Sequence, residues 1–545
     1  RAFARGYPWT AVYPAAAFFV AVLAFNLFGE GLRRLVQDIG LSFNRLVNRY
    51  TLAAAVVLIW GLSWVQSSTG AIAFYKQQAG AFNRAQAVTH LNALTDPALD
   101  GRAVGTSGAE RAADYIAQKF KEYGLQPGGQ KSSYFFEVKR DFFTLTETPR
   151  LSFNGQSLAY RQEFAEIPTN FFNASDPKRG QLAVLGFGEQ VFASAAFTGQ
   201  RFPRAVVDLD LSGDTVLILQ GGGALPNVLR QGTLYLTRDP ADITRRDSLS
   251  AYSPAAPATI PLQGAPYFFV TEQAANKMLA PAGLSVAELL ARQRQLGPDE
   301  VEVWRTGVTA ASAMPGRVRQ KIPARHVIGY WPGSDPDEDD KLIVVLAQYD
   351  GLGVDETGQL YPGANATAGN VAVMLELLRS WQQTGYQPRK TIVFVAYVGE
   401  GFDYGQLPSR RPDVERFISA KFGFAVAFTP EAFVFLNGLG AGAGDDLTLA
   451  AGGNLRLAQL FERAGKQVGV KTRRANEEFL LDVIFGGSQG VVTEDAPNIT
   501  LQWTGAEATF GTPADTPEAI DPAKLEQSGR LLSLALLIMG REVNY

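Results

Sequence analysis

LIVVLA (342–347), NVAVMLELLRSWQQTG (370–385) and TIVFVAY (391–397) decide the fold of this chain. The first and third are unbroken apolar runs rich in β-branched residues, the pattern of strands buried on both faces. The stretch between them is predicted to be a helix. NITLQW (498–503) reads as a further central strand, and DPAKLEQSGRLLSLALLIMG as a helix from about Pro522. Strand–helix–strand alternation predicts an α/β sheet covered by helices.

Upstream, GRAVGTSGAERAADYIAQKFKEYGLQPGG (101–129) predicts a helix with Ala112, Ile116, Phe120 and Tyr123 on its apolar face. Ser107 and Glu110 have the spacing of a capping box, and Gly124 is a stop signal. Residues 132–165 alternate as strands do, with a turn expected at Asn154-Gly155. Residues 166 to about 310 are rich in short strands and glycine–proline turns and read as an inserted β-rich module. Within it VVDLDL and TVLILQG are strand candidates. SDPDEDD (334–340) is a solvated turn.

The first 75 residues differ from the rest. Between Arg5 and Glu30 lie 24 uncharged residues, and between Arg49 and Lys76 another 26. A bilayer span needs roughly 20. GLRRLVQDIGLSFNRLVNRY (31–50) has apolar residues at helical spacing and four arginines, as an amphipathic interfacial helix does. The excess of arginine predicts a cytoplasmic loop, with both flanks and the large domain outside. The expected layout is two membrane helices in 1–75, a connector in 76–94, the main domain in 95–165 and 311–545, and the insert in 166–310. The chain opens on Arg1 without a methionine, as a processed product or a piece of a longer one does.

The composition excludes several functions. The 545 residues carry a net charge of -3 with no basic groove, so nucleic acid is not an expected partner. Cysteine is absent and only His90 and His326 are present. Thiolate sites and multi-imidazole sites are therefore ruled out, and neither histidine lies beside a nucleophile motif. GGGALPN (221–227) and GLGAGAGDD (438–446) lack the lysine and hydroxyl of a phosphate-binding loop. Nothing favours Glu400 with Asp403 as a paired-carboxylate hydrolase.

From about 95 to 543 the chain resembles the two-zinc aminopeptidase family, which includes secreted bacterial aminopeptidases and the non-catalytic ectodomain of the transferrin receptor. The likeness rests on GRAVGTSGAERAADYIAQKFKEYGLQP, PGANATAG, VAYVGEG and TFGTPADTPEAI. PYFFVTEQAANKMLAPAG resembles the end of the protease-associated module that some members insert. The family's chemistry uses two metal ions about 3.5–4 Å apart to activate water. The resemblance places ligands where this chain has Gln348, Ala366, Gly401 and Gly511, and around Thr429 or Pro430 near Glu431. Asp350, the histidine-orienting position, and Glu400, the general-base position, keep their carboxylates. Pro513, Asp515 and Thr516 fix the register of the last motif. The resemblance therefore implies a peptidase scaffold without zinc or another cofactor, the alternative being a zinc enzyme with rearranged ligands.

YPWTAVYPAAAFFVAVLAFNLFGEGLRRLVQ (7–37) resembles the C-terminal span of a peptide-type ABC transporter permease. The expected function is a membrane-anchored binding or scaffolding subunit. Its expected partners are lipid, other membrane subunits or further copies of itself, and peptide.

Overall fold

The computed structural model describes residues 71–167, 177–188, 209–220, 230–246, 265–298, 300–339, 341–398, 429–451, 455–475 and 497–542, with a few isolated positions elsewhere. The chain divides into two units, Arg1–Phe74 and Tyr75–Tyr545. In the first, the described residues include Phe19, Val22, Leu23 and Val56–Leu58, all helical and exposed. Among the described residues no helix is long and apolar enough to cross a membrane. The two expected spans and the arginine-rich helix lie almost wholly outside them.

The second unit is built on a mixed ten-stranded sheet. Its order is Thr472–Arg474, Leu447–Ala451, Asn498–Trp503, Thr429–Leu436, Lys341–Gln348, Thr391–Tyr397, Gly316–Trp331, Phe135–Leu145, Ser253–Pro254, with Gln126–Pro127 paired to Gly316–Trp331. The four central strands are parallel, and the three expected apolar runs are among them. Alternate residues of these strands face opposite ways. Ile343, Val345, Ala347, Ile392, Phe394 and Ala396 join a large core with the helices Arg84–Leu94, Ser107–Glu122, Gly369–Thr384, Leu455–Val468 and Pro522–Arg541. Leu342, Val344, Leu346, Val393 and Val395 form a separate cluster.

The Pro522–Arg541 helix lies deep in that core. Leu531, Leu532, Leu534, Leu536 and Leu537 are fully buried. Ser528 and Ser533 accept hydrogen bonds from the indole nitrogens of Trp503 and Trp381, both at 2.9 Å. Gly529 leaves room for the Phe82 ring, which a Cβ there would meet at 2.1 Å.

Three local expectations differ from the structure. Thr106, not Ser107, caps the Ser107–Glu122 helix, accepting from the Ala109 amide at 3.3 Å, because the helix starts one residue earlier than the motif suggested. Residues 84–94 are not a connector: Ala87, His90, Leu91 and Leu94 are buried in the core. The β-rich module starts earlier than 166. Its eight-stranded sheet runs Gln156–Ser157, Arg150–Phe153, Val301–Ala313, Lys178–Phe187, Asp214–Ile218, Gly232–Thr237, Tyr267–Thr271, Phe164–Glu166. The Asn154-Gly155 turn, with φ of 43° and 83°, therefore belongs to this module. The module has its own apolar core, closed by the helices Glu272–Leu279 and Val286–Gln293. Of VVDLDL, the described residues 209–211 are not strand, whereas Asp214–Ile218 is. GGGALPN lies outside the described residues.

Candidate functional site

In a sheet of parallel strands the loops that follow the carboxyl ends form the crevice. Gln348 ends its strand opposite Tyr397, and Ala347 pairs with Leu436, so Asn437 emerges at the same edge. The segment 363–369 crosses this edge as a π-helical turn, Ala364–Ala368, that runs into the Gly369–Thr384 helix.

This turn is held by a dense polar network. Asn365 uses its whole amide: Oδ1 accepts from the Gly440 and Ala441 amides at 3.0 and 2.9 Å, and Nδ2 donates to the Ala441 and Ala506 carbonyls at 3.2 and 3.1 Å. Asp515 accepts from the Asn365 and Ala366 amides at 2.6 and 3.0 Å. Burial outweighs these bonds and pushes the Asp515 carboxyl up to about 6. Asn370 bridges the Leu439 amide and the Ala366 carbonyl. Below lies Arg102, wholly buried, donating to the carbonyls of Tyr349 (2.8 Å), Leu94 and Pro362 (2.9 Å) and to the Thr367 hydroxyl (3.0 Å). Burial lowers the Arg102 guanidinium to about 10, while Asp350 and Asp515 nearby favour its charge.

The positions singled out from the sequence fall around this network. Gln348 and Asp350 are buried at the head of the crevice. Ala366 lies in the π-turn, half-buried. Glu400 and Gly401 lie outside the described residues. Thr429 and Pro430 do not belong here. They pair with Lys341 and Leu342, at the opposite end of the sheet, where Glu431 accepts a bond from the buried Lys390 at 2.8 Å. The register puts Asn437 at the crevice instead. Its Nδ2 donates to Gln502 Oε1 at 2.6 Å, and its buried Oδ1 has no partner among the described residues. Counting from the strand end rather than from its start identifies it.

Gly511 is the most altered position. It has φ of 69°, and a Cβ there would lie 2.4 Å from the carbonyl oxygen of Arg246. The Arg246 amide donates to the Gly511 carbonyl at 2.7 Å. Backbone from the β-rich module thus occupies the space a side chain at 511 would need.

The remaining histidines serve the fold. His90 is buried between two tyrosine hydroxyls, Tyr115 at 2.7 Å from Nδ1 and Tyr123 at 3.1 Å from Nε2, and burial drives it down to about 4. His326 stacks on Phe136, and its Nδ1 accepts from the Val398 amide at 3.3 Å.

A pair of zinc ions needs histidine and carboxylate donors at this edge. The chain offers an amide at Gln348 and at Asn437, a methyl at Ala366, and no side chain and no room at Gly511. These residues do not fit the metals. Among the described residues no group of three or more histidine, cysteine, aspartate or glutamate side chains is placed to hold a metal ion.

Residues 326–536 match the model of peptidase family M28. Among solved structures, an aminopeptidase from Aneurinibacillus sp. strain AM-1 is similar with a TM-score of 0.57 at 17% identity, over 86% of this chain and 96% of that one. A peptidase M28 precursor from Shewanella amazonensis SB2B gives 0.55 at 12% identity, over 87% and 97%. No curated protein matches by sequence. The fold is that of an M28-type aminopeptidase, with no metal-binding cluster among its described residues.

Proposed function

We propose that this protein is a non-catalytic, membrane-anchored peptidase-like subunit that binds or scaffolds other components of a membrane assembly, one related to peptide transport. The observation that carries the non-catalytic half is the donor set at the crevice: Gln348, Ala366, Asn437 and Gly511 stand where two metals would be held. Asp350 and Asp515 persist beside the buried Arg102, whose charge they favour. The membrane half is supported by the two uncharged stretches before Lys76, by the exposed apolar residues Phe19, Val22, Leu23 and Val56–Leu58, and by the permease-like 7–37. The alanines and Pro14 of the first stretch suit close approach by another helix.

Isolation of the full chain from native membranes in mild detergent tests both halves. Mass measurement, identification of co-purifying chains and metal analysis are the readouts. The reading expects transporter subunits or further copies of the chain, and no stoichiometric zinc. One or two zinc ions per chain, or a bare monomer, overturns it.

A further inference from the structure

The contact between Gly511 and Arg246 is one end of a larger arrangement. Arg246 comes from the β-rich module and is buried. Its guanidinium lies 2.8 Å from Glu356 and 3.9 Å from Asp355, both in the loop that follows the Lys341–Gln348 strand. The side chains of Arg246, Glu356 and Asp355 are 5%, 1% and 8% exposed, so this ion pair is removed from water. A second pair in the module, Arg161 with Glu166, lies alongside. Arg161 also donates to the carbonyls of Ile243 and Arg245, so it grips the backbone that leads into Arg246. The Tyr160 hydroxyl joins the two pairs, 2.8 Å from Glu166 and 3.0 Å from Glu356.

From this geometry we infer that the Ile243–Arg246 segment is a built-in plug, seated in the crevice of the peptidase fold and latched by buried ion pairs. The inference rests on reading that crevice as a former catalytic cleft. The segment is anchored at both sides: by backbone to the Gly511 loop and by charge to the Asp355–Glu356 loop. The Gly511 loop, the Asp355–Glu356 loop and the Arg161 turn are thus tied to one another through the Ile243–Arg246 segment. A peptide cannot reach Gly511 without displacing Arg246, and that displacement breaks the hydrogen bond from the Arg246 amide to the Gly511 carbonyl and the ion pair together. The latch is conditional on its charges. Removing one partner leaves the other buried without compensation, which favours release of the segment into water. The binding surfaces of the protein therefore lie outside this cleft while the latch is closed.

Hydrogen exchange on the full chain in detergent tests the plug, with local opening read residue by residue. In the parent protein the Arg246 amide is expected to exchange at least about a hundredfold more slowly than free peptide. Arg246→Ala and, separately, the milder Glu356→Gln are expected to speed exchange at 243–246 and 512 by about tenfold or more, leaving the amides of 342–347 unchanged. An unprotected Arg246 amide in the parent overturns the plug, whatever the variants do. So does a Glu356→Gln protein whose exchange matches the parent, or one that loosens only together with the central strands. If Arg246→Ala does not fold, Glu356→Gln and the parent decide. Zinc in the purified protein would defeat the non-catalytic reading without touching these rates, so the two failures are separable.

Discussion

At the carboxyl edge of the ten-stranded sheet two sets of side chains lie within a few residues of one another. Arg102, Asn365, Asn370 and Asp515 are buried and engaged with backbone groups of four loops. Gln348, Ala366, Asn437 and Gly511 are interspersed with them along the chain but present amides, a methyl or nothing. The first set satisfies backbone donors and acceptors that burial has cut off from water, and leaving one unmet costs about 1–3 kcal/mol. That penalty falls on the fold whether or not a reaction takes place. The second set offers a metal no charged donor, and the contacts it does make, Asn437 to Gln502 and the Gly511 carbonyl to the Arg246 amide, are local. Where two neighbouring positions serve different ends, a scaffold can keep its polar framework while losing its chemistry.

The largest test of this contrast is Arg102→Ala. It removes a buried cation and strips the carbonyls of Leu94, Tyr349, Pro362 and Gly363 and the Thr367 hydroxyl of a donor, so a loss of about 3–5 kcal/mol is expected, read by urea unfolding. A loss below about 1 kcal/mol would mean the framework is not what holds the loops.

A pH series separates the framework from the rest of the core. His90 is held near 4, below its unfolded value of about 6.5. A depressed pKa contributes stability above about 6.5 that is lost as pH falls towards 4, worth about 3 kcal/mol. Asp515 has the opposite sign. Its raised value, about 6, contributes stability at low pH that is lost as pH rises from about 4 to about 6. The two slopes oppose each other in the same window. His90→Gln is expected to unmask the Asp515 slope, so that thermal stability falls with rising pH between about 4 and 6 more steeply than in the parent. Parallel curves for parent and variant would refute the assignment.

The smallest effect is expected at the other set. The triple change Gln348→His, Ala366→Asp and Asn437→Asp restores donors without touching Gly511. It should alter stability by no more than about 2 kcal/mol and bring no stoichiometric zinc, measured by metal analysis after dialysis. Tight zinc binding by the triple variant would show that the space at Gly511 is not decisive.

Much of this was legible in the sequence because it follows from periodicity. The runs 342–347, 391–397 and 498–503 are strands, and Ala112, Ile116, Phe120 and Tyr123 are buried as their spacing predicts. Ala87, His90, Leu91 and Leu94 carry the same spacing, but a polar residue at 90 and the nearby membrane-like stretch disguised a core helix as a connector. Asn437 was missed because the motif near 429–431 was set at the start of a strand, Thr429–Leu436, whose carboxyl end carries the crevice residue. The plug was not legible at all. Arg246 and Gly511 are 265 positions apart, and no local pattern announces that the backbone of one fills the side-chain space of the other.

The Pro522–Arg541 helix has a consequence for the timing of folding. It packs against Arg84–Leu94, Gly369–Thr384 and Leu455–Val468, so the core between the earliest and latest of these elements cannot close before residue 541 is made. At roughly 5–20 residues per second, the Arg84–Leu94 helix waits about 20 to 90 s for its partner. During that interval the apolar face of the Arg84–Leu94 helix stands without the helix that covers it, a load that falls on whatever attends the nascent chain.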